Sequence, residues 1–559
     1  MKTHPALLCA PAGAALLLLL TSLLPLEDLI GHDYYLAFTE YLIGMNHLLV
    51  NGPSLPHFTA SLCGGLPFFA DPQSTFVSLP QLLVLFLSPH AAVLVTYFLF
   101  YVLGYAGAWA LCRKHFGHPI FTSHLAALFF ILNGFCFAHF FVGHVTHHVF
   151  LMSPWFVFLA FPSAAATPLR RAALSSLLLA YAVYSGGMHV LALWVALALL
   201  FLPAWLAQRD WWFLGFSILF LLLLVPGKLV AGYFFLKNAY PMPLHVSGEN
   251  PLLILFRYFF FIPSNTPSHV AFGQLAFGPW EYVGYVSKLS LPAAGYFFYD
   301  RFRKKNRIRT LTLQILLGFI LLMVATGSWQ PELLSGYHNP IKWLAVFILP
   351  LTLAFAYSVR VVEENLRRHF PPRTVLVAFG FLSALLLWEN TYSIDFFTVH
   401  KSGISFDSRQ ANEVWAQLRE RHALPPVRNI NTNKGWDITG LFRGETSLRC
   451  AEPTYGYFQE GLHTRLRIGP TAHVSSSAFN LSHPGCLLYP SFYGCRAWDR
   501  IPSAQATAFD KFIHAKAQAW DLPTWQTALF ALHGFSAVAL GVLCLVPIAT
   551  RIGRTRQKT

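Results

Sequence analysis

Apolar runs alternate with polar connections along most of this chain. They fall near 7–26, 90–111, 120–142, 149–166, 172–187, 188–206, 212–232, 283–299, 310–327, 341–359, 374–390 and 526–548. A transmembrane helix needs about 20 such residues, and the runs come close to that length. The pattern predicts about 12 transmembrane helices, several of them short or marked by Pro154, Pro162, Pro226, Pro292 or Pro350. Three segments between runs are too long to be simple connections: 27–78, 233–282 and 391–525. The chain therefore divides into a transmembrane core, 1–390, with long outer loops at 27–78 and 233–282. A domain at 391–525 follows, then a last helix with a basic tail at 526–559. The first run leaves through Leu24-Pro-Leu-Glu-Asp28, which lacks a small-residue cleavage site, so a retained helix is expected.

Inside the first loop, residues 33–49 place apolar side chains at helical spacing with polar ones opposite. That pattern predicts an amphipathic helix lying on the membrane surface. A turn at Asn51-Gly-Pro-Ser-Leu-Pro56 leads to Cys63-Gly-Gly-Leu-Pro-Phe-Phe-Ala-Asp-Pro-Gln73, expected to form a re-entrant roof over the mouth of the bundle. In 391–525 the pattern changes. It holds 14 Lys/Arg, 11 Asp/Glu and no spanning run. Short stretches such as Arg428-Asn-Ile-Asn-Thr-Asn433 and Gly435-Trp-Asp-Ile-Thr-Gly440 suggest strands broken by turns. The expected fold class is an all-α polytopic membrane protein with a small extracytoplasmic α/β domain before the last helix.

Composition agrees. Hydrophobic residues make up 55% of the chain and charged residues 11%, against roughly 25% charged in soluble domains. The net charge of +15 is unevenly spread. With a cytoplasmic N-terminus, 20 of the 39 basic residues fall on one side, at Lys2, Arg113, Lys114, Arg170, Arg171 and Arg209, then in 301–309, 360–373 and 551–558. The other side has few near the membrane: Lys237, Arg257, Lys288 and Lys342. The positive-inside rule then places both termini in the cytoplasm. Against this background the first loop carries Glu27, Asp28, Asp33, Glu40 and Asp71 with no Lys or Arg. Carboxylates so near hydrocarbon are costly and tend to be functional. Of eight cysteines, Cys486 and Cys495 are close enough for a short disulfide in an oxidising compartment, or remain free thiols. No CxxC or Cys/His zinc spacing is present.

The loop resembles the opening of YfhO-like membrane proteins of the GT-C glycosyltransferase superfamily. The resemblance rests on Asp33, Asn51-Gly-x-x-x-Pro56, Gly64-Gly-Leu-Pro67, Ala70-Asp-Pro-Gln73 and Leu79-Pro80. His57-Phe58 stands where that family often has Trp. Two later stretches are similar as well: Glu281-Tyr-Val-Gly-Tyr285, and His338-Asn-Pro-Ile-Lys342-Trp343 at the entry to a span. The resemblance implies transfer of a sugar from a polyprenyl-phosphate carrier to a glycan, lipid or protein acceptor on the outer face of the membrane. It implies a first-loop carboxylate that acts as base or positions a metal, which leaves room for a divalent cation such as Mg2+ or Mn2+. Membrane lipid is an expected partner and nucleic acid is not. The expected location is a bacterial inner (plasma) membrane.

Inverting glycosyl transfer needs a carboxylate to take the acceptor proton and a positive group beside the departing phosphate. Asp33 is the first choice of base, with an N-cap role as the plain alternative. Asp28 is the second choice. Asp71 belongs either to the substrate or metal site or to an Asp-Pro turn. Lys342 and Arg257, and less strongly Lys228 and Lys237, are candidates for the phosphate, unless they merely snorkel. His338 joins the substrate-binding candidates through its place beside Lys342. His144, His147 and His148 are spaced to bind a metal or to hydrogen-bond substrate. Tyr34, Tyr35, Phe68 and Phe69 could stack on a sugar or line a prenyl groove. Two other classes stay open: a transporter or flippase of a lipid-linked sugar, which would need ionisable residues in mid-span such as Lys228, and a non-catalytic membrane protein of envelope polysaccharide assembly.

Overall fold

The computed structural model describes residues 29–162, 166–238, 251–260, 283–304, 308–326, 328–329, 340–399, 405–431, 438–448, 451–452, 457–458, 466–516 and 519–556. Within them the molecule is mostly helical, with small sheets in 405–516 and one strand before the first helix. Among the described residues six helices are long and apolar enough to cross a membrane: Pro89–His115, Ile120–Val142, Met188–Leu206, Ile341–His369, Pro372–Glu389 and Thr524–Leu545. A seventh span forms if Trp211–Leu224 and Pro226–Asn238, bent by 61° at their junction, count as one. Pro226 explains the bend, because it lacks an amide hydrogen and blocks helix continuation. Apolar helices Val145–Ala160, Pro251–Phe260 and Thr310–Ala325 are shorter. Large apolar side chains on the outward faces, such as Val377, Phe381, Phe535 and Val538, are exposed, as a lipid-facing surface requires. The run at 7–26 lies outside the described residues.

The first loop departs from expectation. Its helix is present, Tyr34–Asn51, but most of it is enclosed by protein rather than presenting one exposed polar face. Tyr34 and Ala37 through His47 are all buried. Its polar positions are spent on protein partners: Glu40 accepts from Thr75 Oγ1 at 3.0 Å, Asn46 Oδ1 accepts from the Leu424 amide at 2.8 Å, and His47 Nε2 meets Ser54 Oγ at 3.0 Å. Residues from 405 to 424 cover it. Strand Leu29–Gly31 pairs antiparallel with Ser405–Asp407. Phe406 then packs on Tyr35 and Phe38. Asp407 caps the helix Ser408–Arg421, accepting from the Arg409 amide at 3.0 Å, and that helix lies against Tyr34–Asn51.

The rest of the loop is roofed too, rather than forming a roof. The Gly64 amide donates to Thr446 Oγ1 at 3.1 Å and the Gly64 carbonyl accepts from the Ser482 amide at 2.8 Å. Further along the chain, Asn429–Asn431 pairs parallel with Glu445–Ser447 and antiparallel with Gly469–Pro470. Cys486 and Cys495 form a disulfide, and Cys63 is also disulfide-bonded.

Candidate active site

The site grows from one break in the apolar bundle. Asn133 ends the helix Ile120–Ile131 and starts Gly134–Val142: its Nδ2 donates to the Phe130 carbonyl at 2.6 Å and its Oδ1 accepts from the Cys136 amide at 2.9 Å. The second helix stops at Gly143, whose φ of 106° is a left-handed C-terminal cap. A 3-10 helix, Val145–Met152, follows. In a 3-10 turn residues three apart eclipse, and His144 and His147 accordingly stack with ring centroids 5.5 Å apart. His139, on the preceding helix, reaches the same place: its ring lies 5.0 Å from His144 and 3.9 Å from His147. The His189 ring, on Met188–Leu206, lies 4.2 Å from that of His147, tilted by 39°.

Against this corner the chain lays Asp33. The Asp33 amide donates to the Val142 carbonyl at 3.0 Å, and Tyr34 Oη donates to the Phe140 carbonyl at 2.7 Å. Approach this close needs bare backbone. A Cβ on Gly31 would strike the carbonyls of Phe141 and Val142, and one on Gly143 would strike Tyr34 N and the Asp33 carbonyl carbon. Asp33 occupies the N-cap position of Tyr34–Asn51, yet its side chain makes no capping bond. Its Oδ2 lies 2.6 Å from His144 Nε2 and its Oδ1 3.3 Å from His32 Nε2. Burial raises the pKa of Asp33. The His144 hydrogen bond and the charges of His144, His32 and Lys342 outweigh burial and hold it below the ordinary carboxylate value. An ionised carboxylate only accepts, so His144 Nε2 carries the hydrogen.

Lys342 belongs to the same group. It sits on the turn Pro340–Phe347 that opens the helix Ile348–His369, and it is 4% exposed. Its charge acts on Asp33, His139, His147 and His189. The assembly is one ionised carboxylate, one buried lysine and four imidazoles. One nitrogen from each of His139, His144 and His147 lies within 4.8 Å of the other two.

No protein-family model matches the chain, and no curated protein matches it. Among solved structures it is similar to the arabinofuranosyltransferase AftD from mycobacteria, with 19% identity and a TM-score of 0.45 over 75% of this chain and 29% of that one. A mutant form of the same protein aligns at 18% identity and a TM-score of 0.42, over 80% of this chain and 33% of the other. The chain thus spans about a third or less of the length of these structures.

The other sequence candidates are distributed differently. Asp71 is buried in a second group. Its Oδ1 accepts from the Gln73 amide at 2.9 Å, which is the turn geometry expected of Asp-Pro. Lys228, fully buried, donates to the Phe69 carbonyl and, at 2.7 Å, to the Asp71 carbonyl. Its charge also acts on Asp71 and Glu40. Two of the loop's carboxylates therefore do have a basic neighbour, supplied by a residue about 157 positions on in the chain. Glu40 is pushed up to about 8, by burial first and by the Asp71 charge second. Arg257 lies on Pro251–Phe260, and its side chain is outside the described residues. Asp28 and His338 lie outside them as well. Of the aromatic candidates, Tyr34, Phe68 and Phe69 are core residues.

Sequence reasoning did not name His139 or His189. The available signal was a polar, titratable residue inside an apolar run, a feature rare enough in membranes to be singled out. Nothing in the sequence joins residues 33, 139, 189 and 342.

Proposed function

We propose that this protein is a GT-C-type membrane glycosyltransferase, YfhO-like in its first loop, that moves a sugar from a polyprenyl-phosphate carrier to a glycan, lipid or protein acceptor on the outer membrane face. The observation that carries this reading is the carboxylate of Asp33, uncapped, ionised and oriented by His144 beside the buried ammonium of Lys342. Asp33 takes the proton of the acceptor hydroxyl as its oxygen attacks the anomeric carbon. The bond from that carbon to the phosphate breaks, and its electron pair leaves with the phosphate. Lys342 stabilises the charge that gathers there. His144 holds the carboxylate in line, and the outer residues over Tyr34–Asn51 limit access of water.

A lipid-borne donor suits a chain with no Gly-rich phosphate loop in its basic, inner connections. The transporter reading needs ionisable residues in mid-span. Lys228, its best candidate, is instead tied to the carbonyls of Phe69 and Asp71. The test is reconstitution of the full chain in vesicles with a labelled polyprenyl-phosphate sugar and a mixed envelope acceptor fraction. Transfer that requires the lipid carrier supports the reading. Transfer from a nucleotide sugar with no lipid carrier contradicts it.

A further inference from the structure

We infer that His139, His144 and His147 form a binding site for one zinc-class divalent cation. The proposal stands on the ligand geometry and does not depend on the reaction catalysed.

Three observations carry it. The first is convergence: one ring nitrogen from each histidine lies within 4.8 Å of the others. Tetrahedral zinc with bonds of 2.0–2.1 Å needs nitrogens about 3.3 Å apart, so the nitrogens draw together by up to about 1.5 Å around the ion. His139 Nδ1 and His144 Nδ1, at 3.0 Å, are already near that spacing.

The second is the state of the opposite nitrogens. A metal-bound histidine almost always donates its other N–H to a carboxylate or a carbonyl, which fixes the ring and raises its basicity. His144 does so through Nε2 to Asp33 Oδ2 at 2.6 Å, leaving Nδ1 as the ligand atom. His147 does so through Nδ1 to the His144 carbonyl at 3.2 Å, leaving Nε2. The third is that His147 Nε2 is buried and, among the described residues, has no hydrogen-bond partner. An unmet buried polar atom is costly, and a metal ion meets it. His189 Nδ1 is in the same condition one ring further on. Its nitrogens are not among the three that converge, so the fourth position stays open to water or an anionic oxygen.

The donor set selects the ion. Imidazole nitrogen suits zinc, copper, iron and nickel, whereas magnesium and manganese favour oxygen ligands. The Mg2+ or Mn2+ that a loop carboxylate would hold does not fit this corner. Lys342 faces the same rings and its charge opposes a cation. The Asp33 carboxylate, hydrogen-bonded to a ligand, supplies the offsetting negative charge. Without metal, the 3.0 Å contact between His139 and His144 is a hydrogen bond in which His139 donates. Binding moves that proton to the other nitrogen of the His139 ring.

The test uses the full chain purified in detergent, loaded with zinc or cobalt and desalted. The proposal expects close to one equivalent of metal per chain. It also expects visible absorption bands of tetrahedral or five-coordinate character from the cobalt form. His147→Ala and His139→Ala should lower affinity by at least about 10-fold. Asp33→Asn, which removes only a partner of a ligand, should weaken binding by about 10- to 100-fold. His148→Gln should retain metal, since His148 spends both nitrogens elsewhere, on the Val145 carbonyl and Tyr181 Oη. Wild-type protein with far less than one equivalent and no cobalt band would overturn the proposal, as would wild-type affinity in a folded His139→Ala/His147→Ala double variant. The cobalt measurement needs no variant, so misfolding of a mutant leaves it decisive. A negative result leaves the role of Asp33 untouched.

Discussion

Gly143 and Asp33 touch through their backbones. A Cβ on Gly143 would collide with the Asp33 carbonyl carbon and with the Tyr34 amide nitrogen, and Gly143 also adopts a φ of 106°. Asp33 therefore meets His144 because a left-handed glycine ends one helix where the next begins. Gly143→Ala is strained in both respects. It should cost more than about 1 kcal/mol of stability and move Asp33 away from His144. Displacement by an ångström lowers turnover by about 100-fold. Thermal unfolding and turnover measured together check this. A folded Gly143→Ala protein with wild-type turnover would show that the contact does not position the carboxylate.

Glu40 offers a prediction with a defined sign in pH. Its folded-state pKa is raised to about 8 from an ordinary 4.5. A raised acid binds its proton more tightly when folded, so its contribution to stability is complete below pH 4.5 and is lost as pH rises through about 8. At neutral pH the group is an uncharged carboxyl, which Gln imitates. Glu40→Gln should leave the unfolding temperature at pH 6 nearly unchanged and should flatten the fall between pH 6 and 9. A large loss of stability at pH 6 would mean that Glu40 is ionised against Lys228 after all.

The Cys486–Cys495 disulfide joins residues nine apart and belongs in an oxidising compartment. In membranes prepared without reductant, neither thiol should react with a maleimide until the protein is unfolded and reduced. Cys486→Ser should cost about 2–3 kcal/mol. Ready labelling of both thiols before reduction would place this region on the cytoplasmic side and reverse the topology.

The sequence carried the parts of this account that depend on local pattern. Most of the apolar runs from 90 onward fall largely on helices, because hydropathy over a span is a property of contiguous residues, but among the described residues only six, or seven with the bent pair, are long and apolar enough to cross a membrane. Asp33, His144 and Lys342 were legible as charged or titratable groups beside apolar runs. The burial of Tyr34–Asn51 was not legible. Its polar residues look solvent-facing in sequence, yet they meet Thr75, Leu424 and Ser54. The pairing of Asp71 with Lys228 was hidden for the same reason: each partner is visible alone, and only the fold brings them together. His139 sits in an apolar run, and nothing local marks it as one of the three histidines whose nitrogens converge.

The central claim is that Asp33 is a catalytic base, and Asp33→Asn tests it most directly. The side chain makes no capping bond, and Asn keeps its size and an oxygen that can accept from His144 Nε2, so the variant should fold, with some loss of stability from the missing charge beside His144, His32 and Lys342. Loss of a general base costs roughly 100- to 10,000-fold in rate. The measurement is transfer of labelled sugar from the lipid carrier to acceptor, with donor binding followed in parallel. The account predicts retained folding and donor binding with turnover reduced by about that range. Wild-type turnover in Asp33→Asn would contradict it.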